Sequence, residues 1–113
     1  MKNKRDADRL IIQKMIGYCN SIARMRNRFG DTFENYTSDE DFQMSSSMCI
    51  LQIGELTTRL TDEFKAQHSD IPWREIKALR NIHAQEVDFE EMWKILTEDI
   101  PELKEKLEQI LAE

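Results

Sequence analysis

The chain has 113 residues, of which 40% are hydrophobic and 34% are charged, and its formal net charge is −6. A domain of this length buries about two-thirds of its unfolded surface, which is enough for a core without disulfides or metals. No apolar run approaches the roughly 20 residues that cross a bilayer, and the charged start is unlike a signal peptide. We therefore expect a single cytoplasmic domain, residues 1–113. Cys19 and Cys49 lie in apolar stretches without CxxC spacing, which indicates buried thiols.

Charge is distributed unevenly along the chain. Residues 1–30 carry eight Lys or Arg and two Asp or Glu, whereas residues 31–113 carry eight and twenty. A basic first helix on an acidic body could meet a polyanion or the acidic surface of another copy.

Apolar residues spaced alternately by four and three predict a long first helix over about residues 5–29. The stripe consists of Ile11, Met15, Tyr18, Ile22, Met25 and Phe29. Gly30 follows it and predicts the C-cap, because glycine adopts the left-handed conformation at little cost. Residues 31–40 are polar and predict a short connection or one helical turn.

A second apolar pattern predicts a central helix over about residues 41–67. Its wide apolar surface predicts neighbouring helices on two sides. One face carries Cys49, Ile53, Leu56, Leu60 and Phe64, and a flank carries Met44, Met48 and Leu51. Gly54 lies inside this helix, where glycine costs about 1 kcal/mol relative to alanine, so we expect close packing against a neighbour there.

The second half of the chain predicts two more helices. Residues 69–73 combine capping side chains with a proline and indicate a helix start. That helix should continue through Leu79 towards His83 and break near residues 84–87.

Asp88 with Glu91 fits a capping pair that opens the last helix. Pro101 has no N–H to donate, so we expect a kink there. The full pattern predicts an all-α fold, an antiparallel up-and-down bundle of four or five helices.

One group of residues could carry chemistry. Arg80 and His83 are three positions apart, which places them on one face of a continuing helix. Cleavage of an RNA strand needs proton transfers, which imidazole can perform near neutral pH, and positive charge over the phosphorane, which guanidinium supplies. Asn81 could orient the imidazole or hold a phosphate oxygen. The same spacing is also typical of surface residues that complement a helix dipole.

Several stretches in order resemble the HepT-like branch of the HEPN families. They are IGE at 53–55, IPWREI at 71–76, LRN at 79–81, VDFEEMW at 87–93 and EDIPELK at 98–104. The resemblance implies a HEPN-like helical bundle that forms a homodimer, with the Arg/His elements of two subunits facing one another. It also implies a metal-independent ribonuclease without a cofactor, which is the toxin of a pair whose antitoxin is a nucleotidyltransferase.

The resemblance assigns roles to four residues of this chain. Arg80, Asn81 and His83 match the catalytic motif, and Glu55 matches an acidic position of the central helix. The family motif has four to six residues between Arg and His, whereas two intervene here. Gln85 stands where some relatives carry a tyrosine that the antitoxin modifies with AMP, which excludes that modification at this position.

Three hypotheses therefore remain open. The first is the ribonuclease toxin. The second is a catalytically degenerate HEPN-like dimer that binds a nucleotidyltransferase partner or a nucleotide. The third is a helical oligomerisation module without a ligand.

Overall fold

A computed structural model describes residues 4–82 and 88–113, and no strand occurs within them. The helices are α1 (Lys4–Phe29), α2 (Phe33–Ser38), α3 (Glu40–Thr57), α4 (Asp62–Gln67), α5 (Trp73–Ala78), α6 (Phe89–Lys94) and α7 (Ile100–Ala112). A 3₁₀ turn, Leu79–Asn81, follows α5, and a π-helical turn, Ile95–Asp99, joins α6 to α7. The all-α, HEPN-like bundle predicted from the sequence is confirmed. No helix in the described ranges is long and apolar enough to span a membrane.

The core lies where α1 packs against α3 and α7. Met15 and Ile22 are buried as predicted, and Ile12 and Cys19 join them on the same face of α1. The buried face of α1 therefore includes residues beside the predicted stripe, because α1 packs against two helices, α3 and α7. The other members of the stripe pack at the edge of the core: Ile11, Tyr18, Met25 and Phe29.

Both cysteines are free and buried, as the sequence predicts. Burial raises the pKa of the Cys19 thiol to about 12. The pKa of the Cys49 thiol is also raised, again mainly by burial.

The single helix predicted over residues 41–67 is wrong, because the chain turns between α3 and α4. The Thr61 hydroxyl caps α4 by accepting a hydrogen bond from the Phe64 N–H at 3.2 Å. The buried Asp8 carboxylate fixes the turn from α1: its two oxygens accept hydrogen bonds from the Thr61 N–H at 3.0 Å and from the Thr61 hydroxyl at 2.7 Å. Leu60 and Phe64 stay buried through the turn, so the apolar pattern continues although the helix does not.

The prediction of neighbours on two sides of this helix is confirmed, because α3 packs against α1 and against α5 with its 3₁₀ turn. The flank that carries Met44 and Met48 is nevertheless exposed. Met44 is 70% exposed and Met48 is 58% exposed, whereas Leu51 is half-buried. One copy of the chain therefore leaves an apolar strip of α3 uncovered within the described residues.

Three of the predicted helix boundaries depend on local signals. Gly30 has a φ of +98° after the end of α1, as expected for its C-cap. The Asp88 carboxylate caps α6 by accepting from the Glu91 N–H at 2.7 Å, which confirms Asp88 as the predicted cap. The kink predicted at Pro101 stays a prediction; just before this residue the structure has a π-helical turn, in which the Ile100 N–H donates to the carbonyl of Ile95. The wider turn accommodates a proline that cannot continue the α-helical bonding.

An aromatic cluster ties α6 to the middle of the chain. The Tyr36 ring lies 5.3 Å from Phe42, 5.8 Å from Phe89 and 5.6 Å from Trp93 between centroids. The aromatic cluster thus fixes α6, which follows residues 83–87, on the bundle. On the other side of these residues, α5 packs on α3. The predicted break at 84–87 lies outside the described residues.

Candidate active site

Trp73 anchors the helix that leads to the candidate catalytic residues. The indole N–H lies 3.2 Å from the carbonyl oxygen of Lys65 and 3.0 Å from that of His68, and it donates to both. Pro72 occupies the N-cap position of α5, without a side-chain cap, and its carbonyl accepts from the Ile76 N–H. The capping side chain predicted from residues 69–73 is therefore absent, and the tryptophan fixes the start of α5 instead.

The end of α5 packs directly on α3 at Gly54. A Cβ atom on Gly54 would lie 2.5 Å from the backbone nitrogen of Arg80, 3.1 Å from its Cα and 3.1 Å from the carbonyl oxygen of Ile76. Backbone thus meets backbone at this point, which confirms the close packing predicted for Gly54. The sequence did not identify the partner, because the contact joins residues 26 positions apart.

Arg80 is consequently fixed at its main chain, while its guanidinium stays available. The residue is half-buried, and its guanidinium forms no hydrogen bond or ion pair with a described residue. A guanidinium without a carboxylate partner can bind phosphate through its fork of N–H donors.

The helix ends sooner than the sequence predicts. Leu79–Asn81 form a 3₁₀ turn, and Ile82 is extended, with φ −76° and ψ 123°. The extended backbone suits a β-branched side chain and lets Ile82 pack against the core. The prediction that the helix continues towards His83 is therefore wrong. His83 itself lies outside the described residues, so its meeting with Arg80 stays a prediction.

Asn81 directly follows Arg80, and Glu55 directly follows Gly54, the residue on which the Arg80 main chain packs. Asn81 is exposed at the end of the 3₁₀ turn, and Glu55 is half-buried on α3, one residue after Gly54. No ion pair within the described residues joins Glu55 to Arg80. The described residues also contain no group of three His, Cys, Asp or Glu that could hold a metal ion.

Over most of its length the chain is similar to proteins that are named as probable or putative ribonucleases. The model of the family described as "Ribonuclease HepT-like" matches residues 15–110. A protein of Thermococcus cleftensis named "Probable ribonuclease HepT" is 38% identical over 81 residues, which cover 69% of this chain and 74% of that protein.

A second relative, from Caldanaerobacter subterraneus subsp. tengcongensis, has a name that reads "Putative RNase". It is 31% identical over 85 residues, which cover 73% of this chain and 76% of that protein. No solved structure matches the chain. The match to the family model and the two relatives show that the chain belongs to the HepT-like ribonuclease family, a HEPN-type family.

Proposed function

We propose that the protein is the toxin of a toxin–antitoxin pair and a metal-independent ribonuclease that acts through Arg80 and His83. The observation that carries the proposal is the Arg80 guanidinium. It is attached to a main chain fixed on α3 and is not paired with any acid in the described ranges. In a chain of a ribonuclease family, such a cation is suited to the phosphate of an RNA strand.

The proposed reaction is an internal transfer at phosphorus. An imidazole removes the proton of the 2′-hydroxyl, the 2′-oxygen forms a bond to phosphorus, and the bond to the 5′-oxygen breaks as an acid protonates it. The products are a 2′,3′-cyclic phosphate and a 5′-hydroxyl, so no water is consumed in this step. Arg80 stabilises the charge of the phosphorane, and Asn81 orients the imidazole or a phosphate oxygen.

A homodimer supplies this reaction with two imidazoles, one as the base and one as the acid. We propose that the two copies pair over the exposed strip of α3, which contains Met44, Met48 and Leu51. These residues are four and three positions apart, and therefore lie on one face of α3. Glu55 continues the same face next to the Gly54–Arg80 contact, so pairing here brings the two Arg80 elements towards one cleft and gives Glu55 a supporting role.

The proposed partner is a nucleotidyltransferase-type antitoxin. Gln85 stands where some family members carry a tyrosine that receives AMP. A glutamine side chain has no phenolic hydroxyl that could receive AMP. The antitoxin would therefore neutralise this protein by binding it rather than by AMP transfer at that position.

The dimer is tested by charging its proposed interface. In the double variant Met44→Glu/Met48→Glu, we expect the sedimentation coefficient to fall to that of a monomer, because four buried carboxylates would lose their hydration. The control is Leu10→Glu, which makes the same kind of change on α1, at a residue that is 37% exposed and lies outside the strip. A double variant that sediments like the wild type would contradict this interface.

The ribonuclease is tested with a fluorescent single-stranded RNA in the presence of EDTA. We expect the wild type to release products with 2′,3′-cyclic phosphate ends and His83→Ala to lose this cleavage. His68→Ala is the matched control, because it removes the only other histidine, whose ring packs on Phe64 at 4.6 Å. If the wild type shows no cleavage above that of His83→Ala, the ribonuclease that acts through His83 is refuted, and the degenerate dimer that binds a nucleotidyltransferase or a nucleotide is favoured.

A further inference from the structure

An open groove runs between α1 and α3, away from the Gly54–Arg80 contact. Its volume is about 460 Å³. We name it the α1–α3 groove, and it is lined by Lys14, Gly17, Tyr18, Ser21, Gln52, Leu56 and Arg59.

The α1–α3 groove has a basic rim. Lys14 and Arg59 are exposed, and neither side chain forms an ion pair or hydrogen bond with another residue in the described part of the chain. The Arg24 guanidinium adds a third cation, because it donates to the Ser21 hydroxyl at 2.9 Å. No acidic side chain is among the described residues that line the groove. A protein with an acidic total charge thus presents a local concentration of positive charge here.

Tyr18 supplies an aromatic surface in the same groove. The residue is half-buried, and its ring packs against the edge of the core. An aromatic ring beside unpaired cations is the combination that binds single-stranded nucleic acid, because bases stack on the ring while the cations contact phosphates.

Gly17 forms the open part of the groove, and the packing of the described chain does not explain it. Glycine inside a helix is unfavourable relative to alanine. A Cβ atom on Gly17 would meet nothing within 4 Å, so no neighbouring element requires the missing side chain. Gly54 is different, since there the backbone of Arg80 fills the space. An empty position beside Tyr18 is what a ligand that enters the groove would need.

The groove also lies at a useful distance from Arg80. Gly54 faces the 3₁₀ turn, whereas Gln52 and Leu56, two residues away in each direction, face α1. The two features are therefore on different sides of α3, roughly 10 Å apart across the helix. A strand bound at Arg80 can pass over the intervening Glu55 and reach the groove with a neighbouring nucleotide.

We propose that the α1–α3 groove is a subsite for single-stranded RNA, which holds a nucleotide that flanks the cleaved bond. Tyr18 stacks the base, and Lys14 and Arg59 bind the phosphates on either side. This inference rests on the proposed function in one respect, that RNA is the substrate.

The test is a binding titration with a labelled 2′-O-methyl oligoribonucleotide, which the enzyme cannot cleave because the attacking hydroxyl is absent. The key variant is Gly17→Leu, because it fills the groove from an exposed helical position and should not lower the melting temperature. We expect the dissociation constant to rise at least about tenfold in Gly17→Leu. In Tyr18→Leu, which keeps an apolar side chain, we expect it to rise about tenfold.

The cations are tested through the salt dependence of binding. For the variant Lys14→Ala/Arg59→Ala, we expect the slope of log affinity against log salt to become shallower by about 1.4, or about 0.7 for each lost phosphate contact. The control is Lys94→Ala/Lys104→Ala, which removes two cations from α6 and α7 and should leave the slope unchanged.

Three results would overturn the inference. The first is wild-type affinity in Gly17→Leu. The second is dissociation of a dimer into monomers by Gly17→Leu, which would make the groove a subunit contact. The third is competition by AMP as strong as by the oligonucleotide, which would make it a mononucleotide site. Failure of the ribonuclease is separable, because a protein that binds the uncleavable strand through the groove but cleaves no RNA refutes only the proposed reaction.

Discussion

Replacing Arg80 by alanine is expected to lower the rate of RNA cleavage at least about 100-fold, because the phosphorane loses its fixed positive charge. The folded state should change little. The guanidinium has no partner among the described residues, so only the contacts of its aliphatic stem are lost, at a cost below about 1 kcal/mol. Urea denaturation measures the change in the free energy of unfolding. The cleavage rate is measured separately, under conditions where the protein is fully folded.

Two variants make the Arg80 result specific. Lys77→Ala removes an exposed cation three residues earlier and should leave the cleavage rate within about twofold. Arg80→Lys keeps the charge but loses the fork of N–H donors, so it should fall between the wild type and alanine. Equal rates for Arg80→Ala and Lys77→Ala would show that Arg80 is not part of the reaction.

Gly54→Ala is expected to destabilise the protein and to displace Arg80 at the same time. The added Cβ would meet only backbone atoms of Ile76 and Arg80, and these cannot move without separating α5 from α3. Overpacking of this kind costs about 1–3 kcal/mol, against the roughly 1 kcal/mol that alanine contributes to a helix. Urea denaturation should show a net loss of up to about 2 kcal/mol in the free energy of unfolding.

Gly17→Ala is the matched control for Gly54→Ala, because the chemical change is identical and the space on α1 is open. It should stabilise the protein by up to about 1 kcal/mol. Under conditions where Gly54→Ala is folded, it should cleave RNA more slowly than the wild type, since a misplacement of about 1 Å can cost 100-fold in rate. Equal stability of the two variants would contradict the close packing at Gly54.

Features with a local cause could be predicted from the sequence. The C-cap at Gly30 and the Asp88–Glu91 cap each depend on residues within one turn, and both are present. The interruption between α3 and α4 could not be predicted, because the carboxylate that fixes it lies 53 residues from Thr61. The spacing of the apolar residues does not indicate this interruption either, since Leu60 stays buried through the turn.

The candidate site divides in the same way. A glycine inside α3 indicated a close neighbour, but only the folded chain identifies that neighbour as the backbone of Arg80. The spacing of Arg80 and His83 suggested a shared helical face, which assumed that the helix continues. The helical segment ends at Asn81, because Ile82 adopts an extended conformation and packs against the core. Tertiary packing therefore sets this helix end.

The two cysteines have a practical consequence for experiments on subunit association. Disulfide exchange requires a thiolate at the surface, whereas Cys19 and Cys49 are enclosed and their pKa values are raised. Native chains should therefore not become covalently linked during storage in air. A dimer observed without reducing agent can then be attributed to reversible association, and alkylation of either sulfur would report that the bundle has opened.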